Sequence, residues 1–232
     1  ISRSNWTRPV YVALTVGASS YMNLGNNFVQ EGLANRITPF TTTNNGKNGS
    51  AKNFDTEKTY RNVMTRYKFG GLQKKGLYVD ETVMRMCYTH RRLFAQLAQE
   101  LIKEGKYDKA KKVLDKCLEV LPAYNIPHNY VSGSLDLAEC YAILGQQQKA
   151  ERLFNAVWKN SEQYVDFYLA LSGNNFDISM SDCLREFTIM QECSKIAPLI
   201  SQTLAKKTEK IFQNKFVNYR EKGGYVPIQK GK

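Results

Sequence analysis

The side chains that could do chemistry are few: two histidines, five cysteines and scattered carboxylates in 232 residues. His90 falls at helical spacing among Met86, Cys87, Phe94 and Leu97, which reads as a satisfied core histidine and not as a base. His128 follows Pro127 in a loop, with no nucleophile or carboxylate close in sequence to complete a catalytic pair. Cys87, Cys117, Cys140, Cys183 and Cys193 are widely spaced and odd in number. They form neither a C-x-x-C pair nor a metal-ligand cluster with histidine, so they read as small buried apolar side chains. The phosphate-cradling loop, the serine elbow and the dinucleotide fingerprint do not occur. Asp80-Glu81 places two carboxylates side by side, but neighbours on a helix diverge, and Asp80 is better read as a helix N-cap. Asn5-Trp6-Thr7 and Asn48-Gly49-Ser50 fit the glycosylation acceptor pattern, which is too short and common to argue from. No catalytic residue, metal ligand or cofactor is expected.

Composition narrows the class. Hydrophobic residues at 42% and charged residues at 23% are ordinary globular usage, which rules out wholesale disorder. No apolar run approaches the roughly 18 residues of a membrane span. The chain opens at Ile1 with neither an initiator Met nor a signal pattern, which predicts a piece of something longer. The formal charge is +12, but residues 55–199 hold twenty bases and eighteen acids. The excess sits at the ends: five bases against one acid in 1–54, and eight against two in 200–232. A basic end suits nucleic acid or anionic lipid, yet no base-reading motif accompanies it.

The elements follow from pattern. Val10–Val16 is β-branched and aromatic and predicts a strand. Tyr21–Arg36 predicts a short helix carrying Phe28, Val29 and Leu33, and Thr41–Asn53 is mobile-loop composition. A helix is expected from Thr56 to Tyr67, and another from Asp80 to Gly105 with Val83, Met86, Cys87, His90, Phe94, Leu97 and Leu101 inward. The next, from Asp108 to Pro122, turns Ala110, Val113, Leu114, Cys117 and Leu118 inward and Lys109, Lys111, Lys112 and Lys116 outward. Beyond them the pattern predicts a short helix at Ser161–Leu171 and one capped by Ser181. Pro198 then kinks that helix or opens another, running to about Tyr219.

Two stretches repeat each other. Phe94, Leu97-Ala98, Gly105, Ala110, Leu114 and Pro122 have the spacing of a tetratricopeptide repeat. Leu137-Ala138, Tyr141, Gly145, Ala150 and Phe154 follow forty residues later. The excess over the roughly 34-residue period fits into the loop at Pro122–Asn129. Small residues at Ala98, Ala110, Ala138 and Ala150 would let paired helices approach closely. A generic antiparallel helix pair would share this fold and lose only the binding implication. In such repeats the first helix of each hairpin lines a concave face. Counting from Ala98 places Arg92, Gln96, Gln99 and Lys103 on it, and counting from Ala138 places Ser132, Asp136 and Glu139 there, with Ile143 beyond. Bases and amides on one hairpin and acids on the other suit an extended peptide. Ala95 and Gln99 stand where a carboxylate-clamping Lys and Asn would be expected.

The ordered series Asn5-Trp6-Thr7-Arg8-Pro9-Val10-Tyr11, Glu31-Gly32-Leu33-Ala34-Asn35-Arg36, Tyr67-Lys68-Phe69-Gly70-Gly71 and Tyr78-Val79-Asp80-Glu81 carries a further likeness, continued by Arg85-Met86-Cys87. It resembles the soluble C-terminal region of a bacterial family of large multi-spanning membrane proteins of unknown function. That family is distantly similar to the protein O-mannosyltransferases. The likeness covers most of residues 1–170. It implies that the spans and the acidic catalytic residue lie upstream of Ile1, and that this domain is tethered at the extracytoplasmic, periplasmic face. Five unpaired cysteines fit an oxidising compartment poorly.

The expected fold is mostly α. Tetratricopeptide-like hairpins at 80–172 follow a small α+β lead-in at 1–79, and a helical cap at 173–222 and a flexible tail at 223–232 complete it. The expected role is a non-catalytic interaction domain holding a polypeptide or protein partner near the membrane-embedded part of the same chain. The alternative is a basic nucleic-acid-binding protein, suggested by Lys206, Lys207, Lys210, Lys215 and Arg220 interleaved with Phe212, Phe216 and Tyr219.

Overall fold

The computed structural model describes residues 6–43 and 51–225. The acceptor patterns at Asn5 and Asn48, much of the Thr41–Asn53 loop and the tail beyond Tyr225 fall wholly or partly outside them. The protein is mostly α, with a small sheet followed along the chain by tetratricopeptide-like hairpins, and it forms two compact units, Ile1–Ile126 and Pro127–Lys232. Among the described residues no helix is long and apolar enough to cross a membrane.

The first unit opens with a three-stranded antiparallel sheet in the order β1 (Tyr11–Ala13), β3 (Ala34–Ile37), β2 (Phe28–Gln30). The Val10–Val16 strand is thus only three residues long. Tyr21–Arg36 is not a helix but a 3-10 turn at Gly25–Asn27 and the β2–β3 hairpin. Phe28 and Val29 fit either period; pairing with β3 decides for strand, and Leu33 falls in the turn between β2 and β3 that Gly32 makes at φ 98°. A Cβ there would lie 2.2 Å from the Tyr67 hydroxyl, which accepts from the Leu33 amide at 3.0 Å. Glu31, at the end of β2, is buried and accepts from Tyr11 (2.8 Å) and from Arg36 (2.6 Å), and it pairs with Lys58.

Strands β4 (Thr42–Thr43) and β5 (Ala51–Lys52) form a small parallel pair. Helix α1 (Thr56–Arg61), capped by Asp55, runs into a π-turn at Asn62–Arg66. Helix α2 (Glu81–Lys103) begins where the Asp80 carboxylate accepts from the Val83 amide at 3.0 Å, and it ends at Gly105, whose φ is 72°. Its first turns depart from the expected pattern: Val83 and Met86 are 44% and 43% exposed. The inward stripe begins only at Cys87, where α3 (Tyr107–Val120) comes alongside. Ala98 and Ala110 are fully buried in this hairpin, as are Leu97, Leu101 and Leu114. Arg91 is buried too and donates to the carbonyls of Leu121 (3.2 Å) and Ile126 (2.7 Å), fixing both ends of the loop after α3.

His90 departs from the satisfied histidine of the sequence. Its Nδ1 is buried without a hydrogen-bond partner among the described residues, and the Tyr67 and Phe69 rings meet the imidazole edge-on.

Among the described residues the second unit holds four α-helices after a short 3-10 turn: α4 (Ser134–Ile143), α5 (Gln147–Ala170), α6 (Asn174–Ile200) and α7 (Gln202–Glu221). Gly145, at φ 72°, turns α4 into α5, with Ala138 and Ala150 fully buried. The short helix expected at Ser161–Leu171 is the second half of α5. Val157, Trp158, Ser161, Val165 and Leu169 stay buried at helical spacing, with no glycine or proline to break the run. Ser181 is likewise no cap; it lies inside α6, which starts after Gly173 because Phe176 already packs on Tyr219. Helix α6 closes two residues past Pro198, and Ser201 caps α7.

Candidate functional site

The residues expected on a concave face are placed as follows. On α2, Arg92 and Lys103 are exposed and Gln99 is half-buried, with Lys103 paired to Glu100 at 2.7 Å. Gln96 is engaged by the chain itself, exchanging side-chain hydrogen bonds of 3.1 and 3.2 Å with Gln30 of β2. Lys52 bridges Glu100 (2.7 Å) and Glu104 (2.9 Å) nearby, so the lead-in leans on this face of α2. Burial pushes the Glu104 carboxyl up, but hydrogen bonds from Lys106, Lys52 and Thr56 outweigh it and bring the pKa down to about 2.

In the second unit Asp136 is exposed and Glu139 half-buried on α4. Ser132 is not an outward position: it is buried in a 3-10 turn before α4, where it and Asn129 form a reciprocal capping box. The Ser132 and Ser134 hydroxyls lie 2.8 Å apart, and Ser134 lies 2.7 Å from His128 Nδ1. His128 thus does have a serine close in sequence, but Ser134 is buried and offers no accessible nucleophile. The cysteines are all buried and free, and burial pushes the Cys117, Cys140, Cys183 and Cys193 thiols up to about 12. No group of three His, Cys, Asp or Glu among the described residues could hold a metal.

The aromatic residues of the basic end face inward. Phe212, Phe216 and Tyr219 pack on Phe187 of α6, with ring centroids 5.7, 5.3 and 5.4 Å away, and Tyr219 is fully buried there. Lys215 is paired with Asp166 and lies 3.7 Å from Glu162.

Sequence reasoning missed a groove of about 600 Å³ where the turn before α4 meets α5 and α6. Tyr130 and Val131 come from the turn, Asn160 and Tyr164 from α5, and Arg185, Glu186 and Ile189 from α6. Tyr130, Val131 and Tyr164 are exposed, whereas Glu186 is only 6% exposed. Arg185 lies 3.0 Å from Asp182 and 3.4 Å from Glu186. Burial pushes the Tyr130 hydroxyl pKa up, and the charges of Glu192 and Asp136 push it further against the opposing pull of Lys195. Tyr164 continues along α5 into Phe167 and Tyr168, which meet edge-on at 5.4 Å. The signal was present: Tyr164, Phe167 and Tyr168 are large rings on a helix whose buried stripe runs elsewhere. The broken-helix reading at Ser161 hid it.

The arrangement has an aromatic-walled trough with amides and carboxylates at its edge, which is the chemistry of binding. Comparison with known proteins agrees with that. Residues 92–124 match the tetratricopeptide repeat. This tetratricopeptide match spans the second half of α2, all of α3 and the start of the loop that Arg91 clips. Residues 1–58 match the family described as TMEM260-associated domain 2. No curated protein and no solved structure matches the chain.

Proposed function

We propose that this chain is a non-catalytic protein-interaction domain of a glycosyltransferase-like membrane protein, presenting a polypeptide or partner protein near the membrane-embedded part of the same protein. The observation that carries the reading is the tetratricopeptide match on a helical hairpin, since such repeats generally mediate protein–protein contact. The match of residues 1–58 to a TMEM260-associated domain, together with the resemblance to O-mannosyltransferase relatives, supports the membrane parent. An extracytoplasmic, periplasmic placement belongs to the same reading. Val131 of the groove offers a test in the intact parent protein in its own membranes. A photocrosslinking residue at Val131 is expected to capture a discrete polypeptide that the same group at Lys206, on α7, does not. Identical capture from both positions would sink the proposal. Protease added from outside the membrane should reach the domain; protection until lysis would remove the periplasmic placement.

A further inference from the structure

We propose that the groove beside α4 receives a cationic side chain, lysine or arginine, from an extended polypeptide. This rests on the interaction-domain reading and adds the chemistry of the partner. The Tyr130 and Tyr164 rings are 40% and 48% exposed, and both line the groove. Rings so placed can flank the methylene stem of a long base and offer their negative faces to its head. Asn160, whose carboxamide has no hydrogen-bond partner among the described residues, can meet a peptide backbone.

Charge decides which side chain the rings would hold. The charged groups that line the groove, pair with its lining or act on Tyr130 are Asp136, Asp182, Glu186 and Glu192 against Arg185 and Lys195. Arg185 is shared between two of those carboxylates, so it leaves no net attraction for an anion. Lys195 is likewise held by Glu192 at 2.6 Å, so both bases are already taken by carboxylates and an acidic partner would meet a net negative rim. A purely apolar one would take the remaining exposure of Glu186 out of solvent without supplying a hydrogen bond. A lysine or arginine head supplies a charge-assisted hydrogen bond in place of solvent.

The test uses the 232-residue chain and arrays of acetylated extended nonapeptides. Their flanks are randomised, and the central residue is Lys, Arg, norleucine, Gln or Glu. Lys and Arg peptides are expected to bind about tenfold tighter than their norleucine counterparts. That margin should vanish in both Glu186→Gln and Tyr164→Ala. The second variant alters an exposed side chain and keeps the test valid if the first misfolds. Binding without base preference, or with acid preference, overturns the cationic site and leaves the interaction domain standing. A base preference that survives in Tyr164→Ala places the site elsewhere and also overturns it. Capture of no peptide from any array overturns both readings.

Discussion

Glu31 shows how a single carboxylate can join separate elements. Its buried oxygens take Tyr11 of β1, Arg36 of β3 and Lys58 of α1. Burial alone would raise its pKa, but the hydrogen bonds from Lys58, Arg36 and Tyr11 outweigh that and hold it below the usual carboxylate range. A depressed carboxylate contributes stability that is present above its unfolded pKa and lost as pH falls through the folded one. Glu31→Gln should therefore cost about 1–3 kcal/mol near neutrality and flatten the acid limb of the stability profile. Urea melts from about pH 7 to about pH 3 check this; parallel profiles for variant and parent would refute it. His90 has the opposite chemistry and the same sign. Burial holds its pKa below the usual value, so the unfolded chain binds the proton more readily. Stability is then complete above about pH 6.5 and declines as pH drops from there towards the folded pKa. His90→Phe, beside the Tyr67 and Phe69 rings, should remove that decline, read as unfolding midpoint against pH.

The helical hairpins were legible at the scale of elements because their sequence signals are redundant. Asp80, Gly105 and the stripe from Cys87 to Leu101 all specify α2, and Ala98 and Ala110 mark the close pair with α3. Ala110→Leu should overpack that hairpin and cost about 1–3 kcal/mol. An unchanged thermal midpoint would mean the site has slack. Asp80→Ala, by contrast, removes one cap and should cost about 1 kcal/mol, read from the same melts. The lead-in was less legible, since Phe28 and Val29 suit helix or strand until β3 is there to pair with. Helices α5 and α6 were cut short for a related reason. Ser161 and Ser181 look like boundaries locally, but the first is buried by packing and the second rides inside a helix begun at Asn174. The groove vanished with that error, because Asn160 and Tyr164 belong to the half of α5 that lies beyond the repeat. The exposure of Arg92 and Lys103 on α2 could be counted from Ala98, but the Gln30–Gln96 bond could not, as it depends on a tertiary contact.

Across the whole molecule a charge of +12 invites nonspecific electrostatics. With Phe212, Phe216 and Tyr219 turned onto Phe187, nucleic-acid binding should be weak, indifferent to sequence and lost as salt rises. Gel shifts across a salt series check this; submicromolar affinity near physiological salt would revive the nucleic-acid reading. The span of the lead-in contacts carries a different consequence. Helices α2 and α3 meet within one hairpin, but Gln30 finds Gln96 across 66 residues and Lys52 finds Glu104 across 52. At a translation rate of about 5–20 residues per second, roughly 3–13 s separate the synthesis of Gln30 from that of Gln96. Through that interval β2 and β3 have no α2 to lean on, and Phe28, Val29 and Ile37 must wait, open to water and to any chaperone at the tunnel mouth. The strands are made before the helices and finished after them.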